Sequence, residues 1–398
     1  MTTFCIENVR LVLAGRTILP GGVLVREGVI VEGYTGQADA HLLPEAAEVA
    51  RLDGGGRLLT PGLIDVHIHG IGLQMFEYGP EALRAASAML PSFGTTCVLP
   101  TLVPREVGPR LFTRLAEMAA ALPTLPGARM PGLHLEGPFM ALAGAGCATL
   151  PGDVGLLEEL LAACGGRMAV MSISPDTPNI LPVIERLRAR GVVPFITHTR
   201  ADAEQTAAAI AAGAIHATHF YDVFHAPEET EPGARPVGAV EAILADPRAS
   251  VDFIADGVHV HPMAIRAAVA AKGYQGVMLI TDANVGAGLP AGVYDTPWGY
   301  PVRVAPGQGA RIAEGHPMAG ALAGSALTMN AGMRNLLAWL DLPPAHIWAM
   351  GTSNPARLLG LSRQGSIAEG AHADLVLWND DLTPAMTWVG GELVYKEA

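Results

Sequence analysis

Several apolar runs of this chain end in residues that bind metals or move protons. One closes on His67-Ile68-His69-Gly70, and another ends in the carboxylate of His134-Leu135-Glu136-Gly137-Pro138-Phe139. His198, His219 and Asp282 close three more. Residues i and i+2 of a strand point the same way, so His67 and His69 share a face. Four histidines and two carboxylates at the ends of apolar strands are hard to explain by packing, because a buried charge without a partner costs several kcal/mol. A divalent cation supplies that partner. Nitrogen and carboxylate donors without sulfur suit zinc first, then iron, cobalt or manganese, as one or two ions. His134 and His216 precede their strand ends by two or three residues and read as packed core histidines.

Such donors act together only if the elements carrying them end at one place. Eight apolar runs, at 63–69, 95–99, 133–136, 169–173, 193–198, 214–219, 251–255 and 277–281, alternate with alanine- and leucine-rich helical stretches such as 104–122, 179–190, 203–212 and 262–271. This βαβα text argues for a parallel sheet, and eight strands are the number that closes a barrel. Barrels place their chemistry at the carboxyl ends of the strands, which is where these residues lie. Short β-type runs at 4–12, 22–31 and 57–59 are matched near the other end by 373–378 and by 388–395, the last around a Gly390-Gly391 turn. The expected architecture is α/β, a metal-dependent (β/α)8 TIM-like barrel over 61–360. A small β-sandwich domain is expected from 1–60 and 361–398.

Length and composition fit that reading. A chain of 398 residues accommodates a barrel of about 250 residues with an appendage. The net charge is 25 − 38 = −13 and only 16% of residues are charged, so neither nucleic acid nor an anionic membrane is an expected partner. Mean hydropathy is +0.32, yet no stretch approaches the roughly 18 apolar residues that spanning requires. Glu7 and Arg10 interrupt the first apolar run, so no export signal is read there. Four cysteines, none in C-x-x-C spacing, indicate neither a disulfide framework nor a thiolate zinc site, and a cytoplasmic location is expected.

The motifs together resemble the amidohydrolase superfamily, and within it the N-acetylglucosamine-6-phosphate deacetylase family. The matching text runs from Pro61-Gly62-Leu63-Ile64-Asp65-Val66-His67-Ile68-His69-Gly70 through His134-Leu135-Glu136-Gly137-Pro138-Phe139 and Ala217-Thr218-His219-Phe220-Tyr221. It continues in Ile254-Ala255-Asp256-Gly257-Val258-His259-Val260, Thr281-Asp282-Ala283 and Leu322-Ala323-Gly324-Ser325. Gly365-Ser366-Ile367-Ala368-Glu369-Gly370 and Ala373-Asp374-Leu375-Val376 complete it. The resemblance implies a metal-dependent hydrolase of a C–N amide bond that removes an N-acyl group, acetyl first, from an amino sugar or related amine. It implies that Glu136, His198 and His219 hold the main ion, that His67 and His69 serve a second, and that Asp282 is the catalytic acid/base beside the metal. Some superfamily members bridge two metals with a lysine of the fourth strand; 169–173 has none, which leaves that position to Glu136. A homodimer is also implied, with a partner loop completing the pocket.

The substrate-facing residues implied by the resemblance are His259, Asp222, Val223, Cys147, Ala148, Thr230, Leu322, Ala323 and Gly324. Several depart from the family pattern. Gly144-Ala145-Gly146-Cys147-Ala148-Thr149 stands where the family carries a substrate-touching histidine, and Asp222 replaces an asparagine. Thr230 stands at the phosphate-binding arginine, among Glu228, Glu229 and Glu231, with Arg235 the nearby cation. Such a loop repels a phosphate dianion, so an uncharged or cationic N-acyl substrate is expected. Two alternatives use the same text: an amidohydrolase or deaminase of a cyclic amide, carbamate or N-heterocycle, and a non-catalytic barrel acting as a binding or scaffold subunit.

Overall fold

The computed structural model describes residues 3–13, 18–36, 49–143, 146–296, 298–305 and 307–398. Leu63–Ile68, Thr95–Leu102, Leu133–Glu136, Met168–Ile173, Val193–Ile196, His216–Ala217, Ser250–Ile254 and Val277–Ile280 form one parallel sheet in chain order. Its two edges meet at the carboxyl end: Asp282 N donates to His67 O at 2.9 Å, and Thr281 Oγ1 donates to Asp65 Oδ2 at 2.5 Å. The expected barrel is therefore present. Nearly every strand residue is buried on both faces, as a barrel lined inside by side chains and coated outside by helices requires.

The fifth and sixth strands are shorter than the runs 193–198 and 214–219, and the reason is local. His198 has φ 48° and His219 φ 35°, so the chain leaves the extended region as it delivers each imidazole. Asp282 repeats the turn at φ 46°. Helices between the strands start on ordinary signals. The Asp153 carboxylate accepts from Gly155 N and Leu156 N to cap Val154–Ala163, and Asp202 with Gln205 forms a capping box on Ala203–Ala212. Helix Ile180–Ala189 turns Ile180, Val183, Ile184 and Leu187 to the barrel. Among the described residues no helix is long and apolar enough to cross a membrane.

Strands from both chain ends join one eight-stranded sheet. Leu375–Trp378 pairs antiparallel with Leu58–Pro61, which lies parallel to Thr3–Val12. The expected single run 22–31 is two strands, Ile18–Arg26 and Val29–Thr35. They turn at Glu27-Gly28, both with positive φ, a tight turn that apolar patterning alone conceals. The Gly390-Gly391 turn forms as expected, at φ 57° and 77°, between Pro384–Val389 and Glu392–Lys396. This sheet packs over its own core, including Ile6, Leu11, Val23, Ile30, Leu59, Leu375 and Trp388.

One element was not expected. Between the eighth barrel strand and helix Met329–Trp339, the strands Gly292–Tyr294, Val302–Val304 and Ala310–Ile312 make a small antiparallel sheet. It carries Trp298 and Tyr300 to the mouth of the barrel.

Candidate metal centre and substrate cavity

At the carboxyl rim the donor atoms converge. His67, Glu136 and His219 bring one ligand atom each within 4.8 Å of one another, and His67, His69 and Asp282 form a second such group. Glu136 Oε1 lies 2.9 Å from His198 Nε2 and 3.3 Å from His219 Nε2. Glu136 Oε2 is 3.4 Å from His69 Nε2, and Asp282 Oδ1 is 3.1 Å from the same nitrogen. All of the metal-site residues anticipated from sequence thus stand in one cluster, with His67 common to both groups and His198 beside Glu136.

The cluster has the chemistry of a cation site. Tetrahedral ligands held roughly 2.1 Å from an ion stand about 3.4 Å apart, close to the spacings present. Two buried donors, Glu136 Oε2 and His198 Nδ1, have no hydrogen-bond partner, and orphaned buried polar atoms point to something that satisfies them. Burial alone would raise the pKa of Glu136, but the facing imidazoles, His67 first, outweigh it and hold the carboxyl well below its usual range. Asp282 is likewise held down to about 2 by His67 and His69 against the effect of burial. Burial disfavours His219 imidazolium, yet Glu136 and Asp282 raise its pKa to about 10. Both carboxylates are therefore anionic, and their field favours positive charge at the centre.

A supporting layer fixes the donors, and sequence reading missed it. Asp252, fully buried, accepts from His219 N at 2.6 Å and from His216 Nε2 at 2.8 Å. Asp65, also fully buried, accepts from His67 N and from Thr281, and burial pushes its pKa up to about 7. The His67 imidazole meets Thr218 Oγ1 at 3.0 Å. A carboxylate inside an apolar run, as in Ser250-Val251-Asp252-Phe253-Ile254, was the available signal. His134 and His216 are satisfied core residues: His134 Nδ1 meets Val66 O at 2.9 Å and its Nε2 meets Ser172 Oγ at 2.7 Å. Their rings and Phe195 form a column beneath His67, with centroids 4.7, 5.3 and 4.3 Å apart.

Above the donors opens a cavity of about 540 Å³, a size that suits a small-molecule ligand. His259, Asp222, Val223, Leu322, Ala323 and Gly324 line it, as anticipated, and so do Arg105, Asn284, Trp298 and Tyr300, which were not. His259 Nδ1 is held 2.6 Å from Asp256 Oδ2, whose other oxygen accepts from Val258 N and His259 N. Burial lowers the His259 pKa, but this carboxylate prevails and raises it.

Cys147, Ala148 and Thr230 are not among the lining residues. The Cys147 thiol instead donates to Ala143 O at 3.1 Å, and burial pushes its pKa up to about 12. Gly144 and Ala145 lie outside the described residues. Glu228, Glu229, Thr230 and Glu231 are exposed, and Arg235 pairs with Glu241 at 3.0 Å. The cation at the cavity is Arg105, from the loop after the second barrel strand.

An eight-stranded parallel barrel with histidines and carboxylates gathered at its carboxyl rim defines a metal-dependent hydrolase of the amidohydrolase type. The sequence matches the amidohydrolase family over residues 58–394, and the chain belongs to that family. It is 32% identical over 394 residues, 94% of this chain and 96% of the relative, to N-acetylglucosamine-6-phosphate deacetylase of Bacillus subtilis (strain 168). It is 33% identical over 345 residues, 85% of this chain and 83% of the relative, to N-acetylgalactosamine-6-phosphate deacetylase of Shewanella sp. (strain ANA-3). The crystal structure of N-acetyl-D-glucosamine-6-phosphate deacetylase from Mycobacterium smegmatis superposes with a TM-score of 0.83 at 30% identity, covering 99% of this chain and all of that one.

Proposed function

We propose that this enzyme hydrolyses the N-acyl amide of an amino sugar, releasing acetate and the free amine. The observation that carries the reading is the pair of donor groups sharing His67, with the Asp282 carboxylate at the edge of the cavity. Relatives named as hexosamine-phosphate deacetylases at 32–33% identity support the reaction class. We assign Glu136, His198 and His219 to the main ion, with zinc the metal that suits these donors, and His67, His69 and Asp282 to a second position. Zinc held by these residues would lower the pKa of water to about 7 and would polarise a carbonyl oxygen.

The chain's own groups do the rest. Asp282, anionic before attack, accepts the proton of the attacking water on Oδ and passes it to the departing amine nitrogen. His259, oriented by the Nδ1 contact to Asp256, presents Nε2–H to a substrate oxygen. Trp298 and Tyr300, with centroids 5.8 Å apart, give the sugar ring an apolar wall. The cysteines are buried and unpaired, which supports a reducing cytoplasm, and the resemblance supports a homodimer, to be read by light scattering. The deciding experiment measures acetate release from N-acetylated hexosamines, phosphorylated and not, with metal analysis of the same preparation. Acetate release by zinc-loaded enzyme is expected; its absence across all of these sugars overturns the reading.

A further inference from the structure

The charges around the cavity are lopsided in a way the reaction at its floor does not require. Glu136 and Asp282 belong to the donor cluster. Asp222 does not: its carboxylate lines the cavity next to Val223, and no ion pair or side-chain hydrogen bond engages it among the described residues. The backbone that carries it is fixed by its neighbours. Tyr221 and Val223 on either side are held at φ 78° and 55°, a left-handed region that β-branched valine rarely enters. Thr199 N donates to Val223 O at 3.1 Å, His225 N donates to Thr199 O at 3.0 Å, and the Tyr221 ring stacks on Phe253 at 6.3 Å. Strain held by such contacts marks a loop whose conformation serves the cavity.

The cation lining the cavity does not offset this charge. Arg105 has Nη2 3.6 Å from Glu77 Oε2, and Trp298 Nε1 donates to the other Glu77 oxygen at 3.2 Å. Arg105 is therefore matched by a carboxylate of its own. Arg235 is on the surface with Glu241. His219 and His259 share the cavity with Asp222, but the first belongs to the donor cluster and the second is paired with Asp256. A dianion placed against the loop 220–224 would therefore face a carboxylate that has no hydrogen-bonded or ion-paired partner among the described residues, and like charges in a partly desolvated site are strongly unfavourable. A hydroxyl or ammonium group there would instead donate a charge-assisted hydrogen bond.

We propose that Asp222 is a specificity-determining residue that selects a hydroxyl or ammonium group on this side of the cavity, so that the substrate is an N-acyl amino sugar without phosphate. This rests on the reading of the site as an amino-sugar amidohydrolase, and it separates the chain from relatives whose names carry a 6-phosphate.

The test compares kcat/KM for N-acetylglucosamine and its 6-phosphate in the parent and in Asp222→Asn. The parent favours the unphosphorylated sugar, and the substitution moves the ratio toward the phosphorylated one by about tenfold or more, through KM rather than kcat. A parent that prefers the phosphorylated sugar, or a ratio untouched by Asp222→Asn, overturns the inference. Should neither sugar be hydrolysed, the functional reading fails separately, and binding decides. Glucosamine and glucosamine 6-phosphate are then titrated calorimetrically into both proteins. Tighter parental binding of the phosphorylated amine refutes the selection, and tighter binding of the unphosphorylated one, relaxed in Asp222→Asn, upholds it.

Discussion

The roles proposed for single side chains at the rim, holding a cation or handling protons and substrate, are separable by substitution. Asp282→Asn removes the proton acceptor while Glu136, His198 and His219 remain, so metal content stays near the parent value and turnover falls by about 10²–10⁴-fold. Glu136→Gln instead removes the charge common to the cluster, and elemental analysis of the purified variant should find the site depleted. Full metal in that variant would make another residue the anchor. His259 yields a pH prediction. Its pKa is raised and that of Asp256 lowered. The histidine's contribution to stability is complete below the ordinary imidazole pKa and lost as pH rises through the raised value. The aspartate's is present above the ordinary carboxylate pKa and lost as pH falls through the depressed one. The pair therefore stabilises the fold across the window between. NMR titration of Asp256→Asn should show the His259 midpoint moved down, because the burial that disfavours imidazolium is then opposed only by the charges of Asp282 and Asp222, which rank below Asp256; an unmoved midpoint would deny Asp256 its part.

At the scale of elements, the site is made by where strands stop. His198, His219 and Asp282 each sit at positive φ, the second residue beyond a strand, so the turn that ends pairing also aims the donor inward. Asp252, on the neighbouring strand, pins one of these turns through His219 N. A second junction joins barrel and end sheet. Gly94 has φ 74°, and a Cβ there would come 2.2 Å from Cη2 of Trp378, whose indole N–H donates to Thr60 Oγ1. Gly94→Ala meets both a disfavoured backbone region and a rigid buried ring, and should cost about 2–4 kcal/mol in chemical denaturation. A loss under about 0.5 kcal/mol would show that the seam can shift.

For the whole molecule, binding of an ion ties barrel closure to stability. The two donor groups, with His198 beside them, draw residues from the first, third, fifth, sixth and eighth strands, so an ion held only by the folded chain resists opening of the ring. At an ion concentration 100 times Kd the gain is about 2.7 kcal/mol. Stripping divalent ions with a chelator should lower the unfolding temperature, and zinc should restore it. Identical midpoints with and without zinc would mean that the folded state binds it no better than the unfolded one.

The order of apolar runs and helical stretches, read with the residues at the run ends, already determined a barrel with a donor-rich rim, because strand period and alternation are local properties written in consecutive residues. The pairing of the two chain ends was legible for the same reason, from β-type runs and the Gly390-Gly391 turn. The wall of the cavity was not. Arg105, Trp298 and Tyr300 reach it from loops whose sequence has no periodicity, and Thr230 with its acidic neighbours stays outside it although Asp222 and Val223, earlier in the same loop, enter. Asp65 and Asp252 were missed because a buried carboxylate in a strand reveals its partner only when another strand is laid beside it. Which charges face one another across a space depends on loop paths and left-handed turns, and those are decided by packing between residues far apart in the chain.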